Sequence, residues 1–134
     1  MSEQDLKHSE LTREIIGAAM EVHKHMGNGF QEVIYQRCLA IELKTRGVQF
    51  QREQNMPLFY KDFHVGRRRA DFLVADTVLI EMKAKSILTD DHRAQILNYL
   101  TAYKKEVGLL LNFGCKSLQF ERFINTKSQY KGHD

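Results

Sequence analysis

Features typical of membrane, secreted and low-complexity proteins are scarce in this 134-residue chain. One proline, eight glycines and no low-complexity tract argue against a flexible linker, so we expect a single domain over residues 1–134. The apolar run Leu109–Leu111 is far too short to cross a bilayer, and the polar N-terminus is not typical of a secretory signal. The two cysteines, Cys38 and Cys115, have no metal-type spacing and suit a reducing compartment. A cytoplasmic protein without a membrane partner is expected.

An excess of charge of one sign is also missing, since 20 Lys and Arg face 17 Asp and Glu for a net charge of +3. This mild balance permits an anionic partner without demanding one, so any argument for nucleic acid depends on where the charges lie. Apolar residues make up 43% of the chain, which is ordinary for a globular protein of this length. We expect a folded core at about residues 11–124 and a polar tail at 125–134.

Three charged residues occupy strand positions where a core would carry Val or Leu: Asp71, Glu81 and Lys83. The apolar runs Phe72–Ala75 and Thr77–Ile80 around them predict a hairpin of two short strands. Glu81 and Lys83 are two residues apart, so they share one strand face about 7 Å apart. A cation site beside a catalytic amine and a buried salt bridge from Lys83 both fit this stretch, which does not decide between them.

The N-terminal part of the chain predicts two amphipathic helices. The first spans Leu11–Met26, and the second is capped by Asn28, with Gln31 completing a capping box, and ends near Arg46. Glu32 is aligned with the core positions of the second helix, which include Tyr35 and Leu39. Dipole complementation at an exposed helix start would explain Glu32, but its alignment favours an inward-pointing functional carboxylate.

The remaining pattern predicts further strands and a third helix. Strands are expected at Val48–Arg52, Leu58–Val65, Val107–Phe113 and Ser117–Ile124, and a helix from Thr89 to about Lys105. The helix carries Gln95 and Tyr99 on one face. Arg67, Arg68 and Arg69 precede Asp71 and are interpreted as phosphate contacts or as a solvated strand end. The order predicts an α/β fold bordering on α+β, with a mixed central sheet flanked by helices and a parallel crossover from Glu81 to Leu111.

Together these residues resemble the PD-(D/E)XK nuclease superfamily, through Asp71 followed by Glu81-x-Lys83 on the next strand. The later pair Gln95-x-x-x-Tyr99 resembles the RecB-like branch, and Gly29-x-x-Glu32-x-x-Tyr35 resembles the GxxExxY family of small members of this superfamily. The likeness extends over roughly residues 11–124. Two departures are Asn28 and Ala70, where the families often have proline.

The resemblance implies a restriction-endonuclease-like core that cleaves nucleic acid, with DNA expected. It implies that Glu32, Asp71 and Glu81 hold a divalent metal, that Lys83 assists catalysis, and that Gln95 and Tyr99 support the site or contact the backbone. The chemistry agrees, because three carboxylates near 4 Å would repel by about 4 kcal/mol per pair and favour Mg²⁺ or Mn²⁺.

Two other interpretations stay open: a non-catalytic module that keeps the nuclease fold and binds nucleic acid or protein, and a structural Asp–Glu–Lys network without a ligand. No separate recognition domain fits in this length. We therefore expect a homodimer or a protein partner to supply any specificity.

Overall fold

One five-stranded sheet and three helices make up residues 8–125, the part of the chain that the computed structural model describes. The elements are α1 (Ser9–Met26), α2 (Glu32–Thr45), β1 (Phe50–Tyr60), β2 (Phe63–Val74), β3 (Val78–Lys83), α3 (Asp90–Tyr103), β4 (Val107–Asn112) and β5 (Gln119–Ile124). The strand order is β1-β2-β3-β4-β5, with β3 and β4 parallel and every other pair antiparallel. The predicted mixed sheet flanked by helices and its parallel crossover are confirmed.

The two faces of the sheet are buried under different helices. Helices α1 and α2 cover the face that carries Phe72, Ile80 and Met82. Helix α3 covers the other face and packs on Leu79 and Leu110. Because side chains alternate along a strand, Glu81 and Lys83 point to the same side of β3 as Leu79. The site residues therefore project at the end of a strand whose other positions are fixed by two hydrophobic cores.

The predicted boundaries of the first strands are wrong. The break between strands does not lie at residues 53–57, because β1 runs through Glu53–Pro57 and the turn lies at Lys61–Asp62. β1 is an edge strand, so it tolerates Pro57 and polar residues facing solvent. The three arginines lie inside β2, since the hairpin extends well beyond its buried end.

The predicted N-terminal cap of the second helix is also wrong. Helix α2 begins at Glu32 after Gln31, while Asn28 lies in a bend between Gly27 (φ 70°) and Gly29 (φ 111°). The Tyr35 hydroxyl donates to the carbonyl oxygen of Gly27 and accepts from the Phe30 amide at 3.2 Å. This tyrosine ties the loop to the helix, so no capping box at Asn28 is needed.

The other predicted boundaries are closer to the structure. Ala75 and Asp76 both have positive φ, as a tight hairpin turn between β2 and β3 requires. Thr89 caps α3, with His92 completing a capping box. Asn125 is buried and donates to the carbonyl oxygens of Leu100 and Lys105, so it does not belong to the predicted polar tail, whose other residues lie outside the described range. Over residues 8–125, no helix has the length and apolar character needed to cross a membrane.

Candidate active site

The site begins where β2 separates from β3. The ladder between these strands ends at the pair Phe72 and Ile80, one residue short of Asp71. Beyond that point the Met82 amide donates to Asp71 Oδ2 at 2.7 Å, so the carboxylate takes the place of a main-chain partner. On the other side of β2, the ladder omits Glu53 opposite Asp71, and Glu53 has a left-handed φ of 51°. The Asp71 side chain is thus held in a fork of the sheet.

Glu81 is the most strongly perturbed acid at this fork. Its side chain is buried, and its Oε1 atom has no hydrogen-bond partner among residues 8–125. Burial, followed by the negative charge of Asp71, raises the pKa of Glu81 to about 8, although the nearby Lys83 charge opposes the shift. Burial also raises the pKa of Asp71, against the opposing effects of the Met82 amide and Lys83. The nearby positive charges therefore do not compensate for the burial of the Asp71 and Glu81 carboxylates.

Glu32 is joined to this pair through a residue that the sequence did not single out. Gln36 Nε2 donates to Asp71 Oδ1 at 3.0 Å and lies 3.5 Å from Glu32 Oε1. Burial and then the charge of Asp71 raise the pKa of Glu32. Gln36 is buried and lies one helical turn after Glu32. This i, i+4 spacing is the feature of the sequence that could have identified Gln36 as a site residue. Helix α2 therefore brings its first residue to the fork.

Lys83 contributes charge to the site without a direct ion pair. It is partly buried on the same strand face as Glu81. Its positive charge opposes the rise in pKa of Glu32, Asp71 and Glu81. Between residues 8 and 125, no ion pair within 4.0 Å joins Lys83 to Asp71 or Glu81. A buried salt bridge does not account for these residues, because the amine is close enough to act electrostatically but is not committed to one carboxylate.

The backbone after Lys83 is fixed by Asn112, another residue that sequence reasoning missed. This buried amide accepts from the Lys85 amide and donates to the Lys85 carbonyl oxygen, both at 2.9 Å. Gly114 passes so close to Lys85 that a Cβ there would lie 2.3–2.6 Å from its backbone atoms. The end of β3 is therefore held rigidly. The charge of Lys85 also lowers the pKa of Glu32.

Arg68 is the one member of the arginine run that faces the site. Its Nε atom donates to Tyr99 Oη at 2.6 Å, its guanidinium lies 5.4 Å from the Tyr99 ring centre, and its charge lowers the pKa of Glu81. Arg69 points to the opposite side of β2, where it contacts Glu53 and Asn55. Arg67 is exposed on that side as well. The run therefore divides between two faces.

An open groove of about 490 Å³ continues from Arg68 and Tyr99 between α3 and the β1–β2 hairpin. Its walls are formed by Leu58, Arg68, Asp91, Ala94, Gln95, Asn98, Tyr99 and Ala102. Gln95 thus lines the groove, while Tyr35, a candidate supporting or nucleic-acid-binding residue from the Gly29-x-x-Glu32-x-x-Tyr35 motif, does not. Tyr35 is fully buried and stacks on Phe113 with ring centres 4.7 Å apart, so it can only support the site.

The donor set fits a hard divalent cation. The unpartnered Glu81 oxygen and the raised pKa of both carboxyl groups show that a positive charge would be stabilised there. In the described part of the chain, no three His, Cys, Asp or Glu side chains form a complete ligand group. Mg²⁺ does not require one, because it is commonly held by one or two carboxylates together with waters and substrate phosphate.

The pKa of Glu81 predicts how the metal-free protein responds to pH. A carboxyl group with a folded pKa above its unfolded value stabilises the fold below the unfolded pKa and loses that contribution as pH rises to the folded pKa. Stability should therefore fall between about pH 4.5 and 8. Glu81→Gln should flatten this slope and raise the free energy of unfolding at pH 8 by about 1–3 kcal/mol. Urea unfolding in EDTA at several pH values measures it, with exposed Glu10→Gln as the control. Equal slopes in Glu81→Gln and wild type would contradict the prediction.

Comparison with known proteins finds a matching family model and a similar fold. A family model described as the PD-(D/E)XK nuclease superfamily matches residues 9–123. A comparison with curated protein sequences finds no match. Among solved structures, the crystal structure of SSO0001 resembles the chain with a TM-score of 0.54 and 15% sequence identity, over 89% of this chain. The chain spans only 60% of that protein's length, and the likeness extends to the fold.

Proposed function

Because the chain belongs to the PD-(D/E)XK nuclease superfamily, we propose that it is a metal-dependent nuclease that hydrolyses phosphodiester bonds in nucleic acid, with DNA as the expected substrate. The observation that carries the proposal is the buried, unpartnered Glu81 oxygen beside Asp71 in the fork of the sheet. Such a pair is costly unless a cation or a proton neutralises it.

Asp71 and Glu81 are proposed to hold Mg²⁺ or Mn²⁺, with Glu32 as a third ligand. When bound, such an ion supplies an activated water and stabilises negative charge on the phosphate. Gln36 orients Glu32 and Asp71 relative to each other through its two contacts. Lys83 is proposed to orient the attacking water or to offset charge that develops on the phosphorus oxygens. Within the described part of the chain Lys83 makes no ion pair with Asp71 or Glu81, which supports this role.

The nucleic acid is proposed to lie along the groove that leads away from the fork. Arg68 supplies positive charge near Glu81, and Gln95 presents an amide to the groove. Tyr99 is proposed to support Arg68 rather than to contact bases, because it is largely buried. Arg67 and Arg69 are proposed as phosphate contacts on the opposite face of the hairpin.

We also place the chain in the GxxExxY family. Support comes from the motif residues themselves, since Gly29 forms the turn, Glu32 starts the helix at the site, and Tyr35 ties the two together. Gln95 and Tyr99 on one side of the groove support the RecB-like branch. We propose cytoplasmic residence, and a homodimer or protein partner as the source of specificity.

A substrate panel tests the proposal. Purified protein should cut at least one of single-stranded DNA, duplex DNA, RNA or an RNA–DNA hybrid when Mg²⁺ or Mn²⁺ is present, and none in EDTA. Cleavage that persists in EDTA would contradict metal dependence. Binding of nucleic acid without cleavage under all conditions would favour the non-catalytic module.

A further inference from the structure

The tip of the β1–β2 hairpin carries several large apolar side chains that are exposed to solvent. Phe59, Tyr60, Phe63 and Val65 are each at least 59% exposed. They lie around the turn at Lys61–Asp62, beyond both cores of the domain. Large apolar side chains exposed together at one hairpin tip are a candidate binding surface.

Two of these side chains lie beyond the groove, on the face of the hairpin that lines it. Met56 is buried on the α3 side of the sheet, and Leu58, two residues later, lines the groove. Tyr60 continues the same alternation and pairs with Phe63 as the last rung before the turn. The aromatic pair therefore extends the face of the hairpin that carries Arg68. Phe59 alternates to the opposite face and contacts His64 there.

The charge of the hairpin favours an anionic occupant. Residues 50–70 contain five Lys and Arg but only two Asp and Glu, an excess equal to the net charge of the whole chain. A second copy of the chain would bring two positive hairpins together, which costs free energy. Interleaved aromatic rings and cations are the combination that binds unpaired nucleotides, through base stacking and phosphate contacts.

We infer that Tyr60 and Phe63 stack on unpaired bases of a nucleic-acid strand whose backbone follows the groove to the fork. This rests on the proposed function, and it specifies a substrate with a single-stranded segment. Strand β2 takes eight residues from Phe63 to Asp71, or about 26 Å at about 3.3 Å per residue. At about 3.4 Å per stacked nucleotide, the aromatic pair lies about eight nucleotides from the reacting phosphodiester.

Fluorescence anisotropy with labelled oligothymidylates of 4, 8, 12 and 16 nucleotides tests the inference on the full chain in EDTA. The double variant Tyr60→Ala/Phe63→Ala should bind the 12- and 16-nucleotide strands at least about tenfold more weakly than wild type. The 4-nucleotide strand should bind both proteins equally. Tyr60→Phe/Phe63→Tyr, which keeps both rings, should bind like wild type. The control is Ile41→Ala, which removes a side chain with 67% exposure on α2 and should change nothing.

Equal binding of the long strands by wild type and the alanine double variant would overturn the inference. So would a dimeric wild type that the double variant converts to a monomer in sedimentation, because the aromatic pair would then be a contact between copies. Hydrolysis of bis(p-nitrophenyl) phosphate with Mn²⁺ separates this result from the proposed function, since that small substrate does not reach the hairpin. If wild type does not hydrolyse this substrate, the result counts against the proposed nuclease activity. The oligonucleotide-binding measurements would still decide the role of the hairpin.

Discussion

Lys83→Ala should reduce the rate of phosphodiester cleavage by about 10²–10³-fold, which is the cost of removing one charge-stabilising group from a preorganised site. The fold should survive, because the Lys83 side chain is partly exposed and makes no ion pair with Asp71 or Glu81 among residues 8–125. Metal affinity should change little or rise, since a positive charge near the carboxylates is removed. Single-turnover cleavage and calorimetric titration with Mn²⁺ measure the two quantities separately.

Lys85→Ala is the matched control, since it removes an exposed lysine two residues along the same segment. It should lower the cleavage rate by less than about tenfold, because Lys85 is a leading influence on the pKa of Glu32 alone, whereas Lys83 is one for all three carboxyl groups. Wild-type activity in Lys83→Ala would remove the catalytic role proposed for this lysine. Equal losses in both variants would show that total positive charge matters, rather than the position of Lys83.

Asp71→Asn should strongly reduce the stabilisation by metal while leaving the metal-free protein at least as stable as wild type. The new side chain can keep its own contacts, since its oxygen can accept from the Met82 amide and the Gln36 amide can rotate to accept from its nitrogen. That rotation gives up the 3.5 Å contact between Gln36 Nε2 and Glu32 Oε1. One like charge is removed from beside Glu81. At a metal concentration of one hundred times Kd, wild type should gain about 2.7 kcal/mol, or roughly 10 °C in Tm, and the variant much less.

Thermal melts of both proteins with and without Mg²⁺ or Mn²⁺ decide this. If Asp71 were instead the required partner of a buried cation, its neutralisation would cost about 3–5 kcal/mol in the metal-free protein, and wild type would not respond to metal. Asp76→Asn is the control, because it makes the same change at an exposed turn of the same hairpin, where Asp76 pairs with Lys105. It should shift stability by less than about 1 kcal/mol and keep the metal response.

Strict alternation made the end of β3 predictable from sequence. Met82 had to face one core if Glu81 and Lys83 faced the other side, and Met82 indeed packs under α1 and α2. The apolar spacing of α2 likewise placed Tyr35 inside. Both predictions depend on a local period, which a single sequence carries.

The features that escaped prediction depend on contacts between distant residues. Pairing with β2 extends β1 through its polar residues, and pairing is not visible in a local pattern. Gln36 and Asn112 look like ordinary polar residues until the fold brings each to a partner at least 27 positions away. Glu53 gave no sign of its left-handed conformation opposite Asp71. The side of the sheet on which Arg68 lies depends on the register between β1 and β2, and the sequence does not determine that register.

Asp71 and Glu81 are proposed to form a metal-dependent site that cleaves phosphodiester bonds. The most direct test of this proposal is the cleavage rate of one labelled DNA substrate while the divalent cation is removed with EDTA and then restored. We expect cleavage by wild type to stop in EDTA and to return with excess Mg²⁺ or Mn²⁺. We expect no cleavage by Asp71→Asn when the cation is restored. Two results would contradict this proposal: cleavage that continues in EDTA, and cleavage by Asp71→Asn that recovers as fully as that of wild type when the cation is restored.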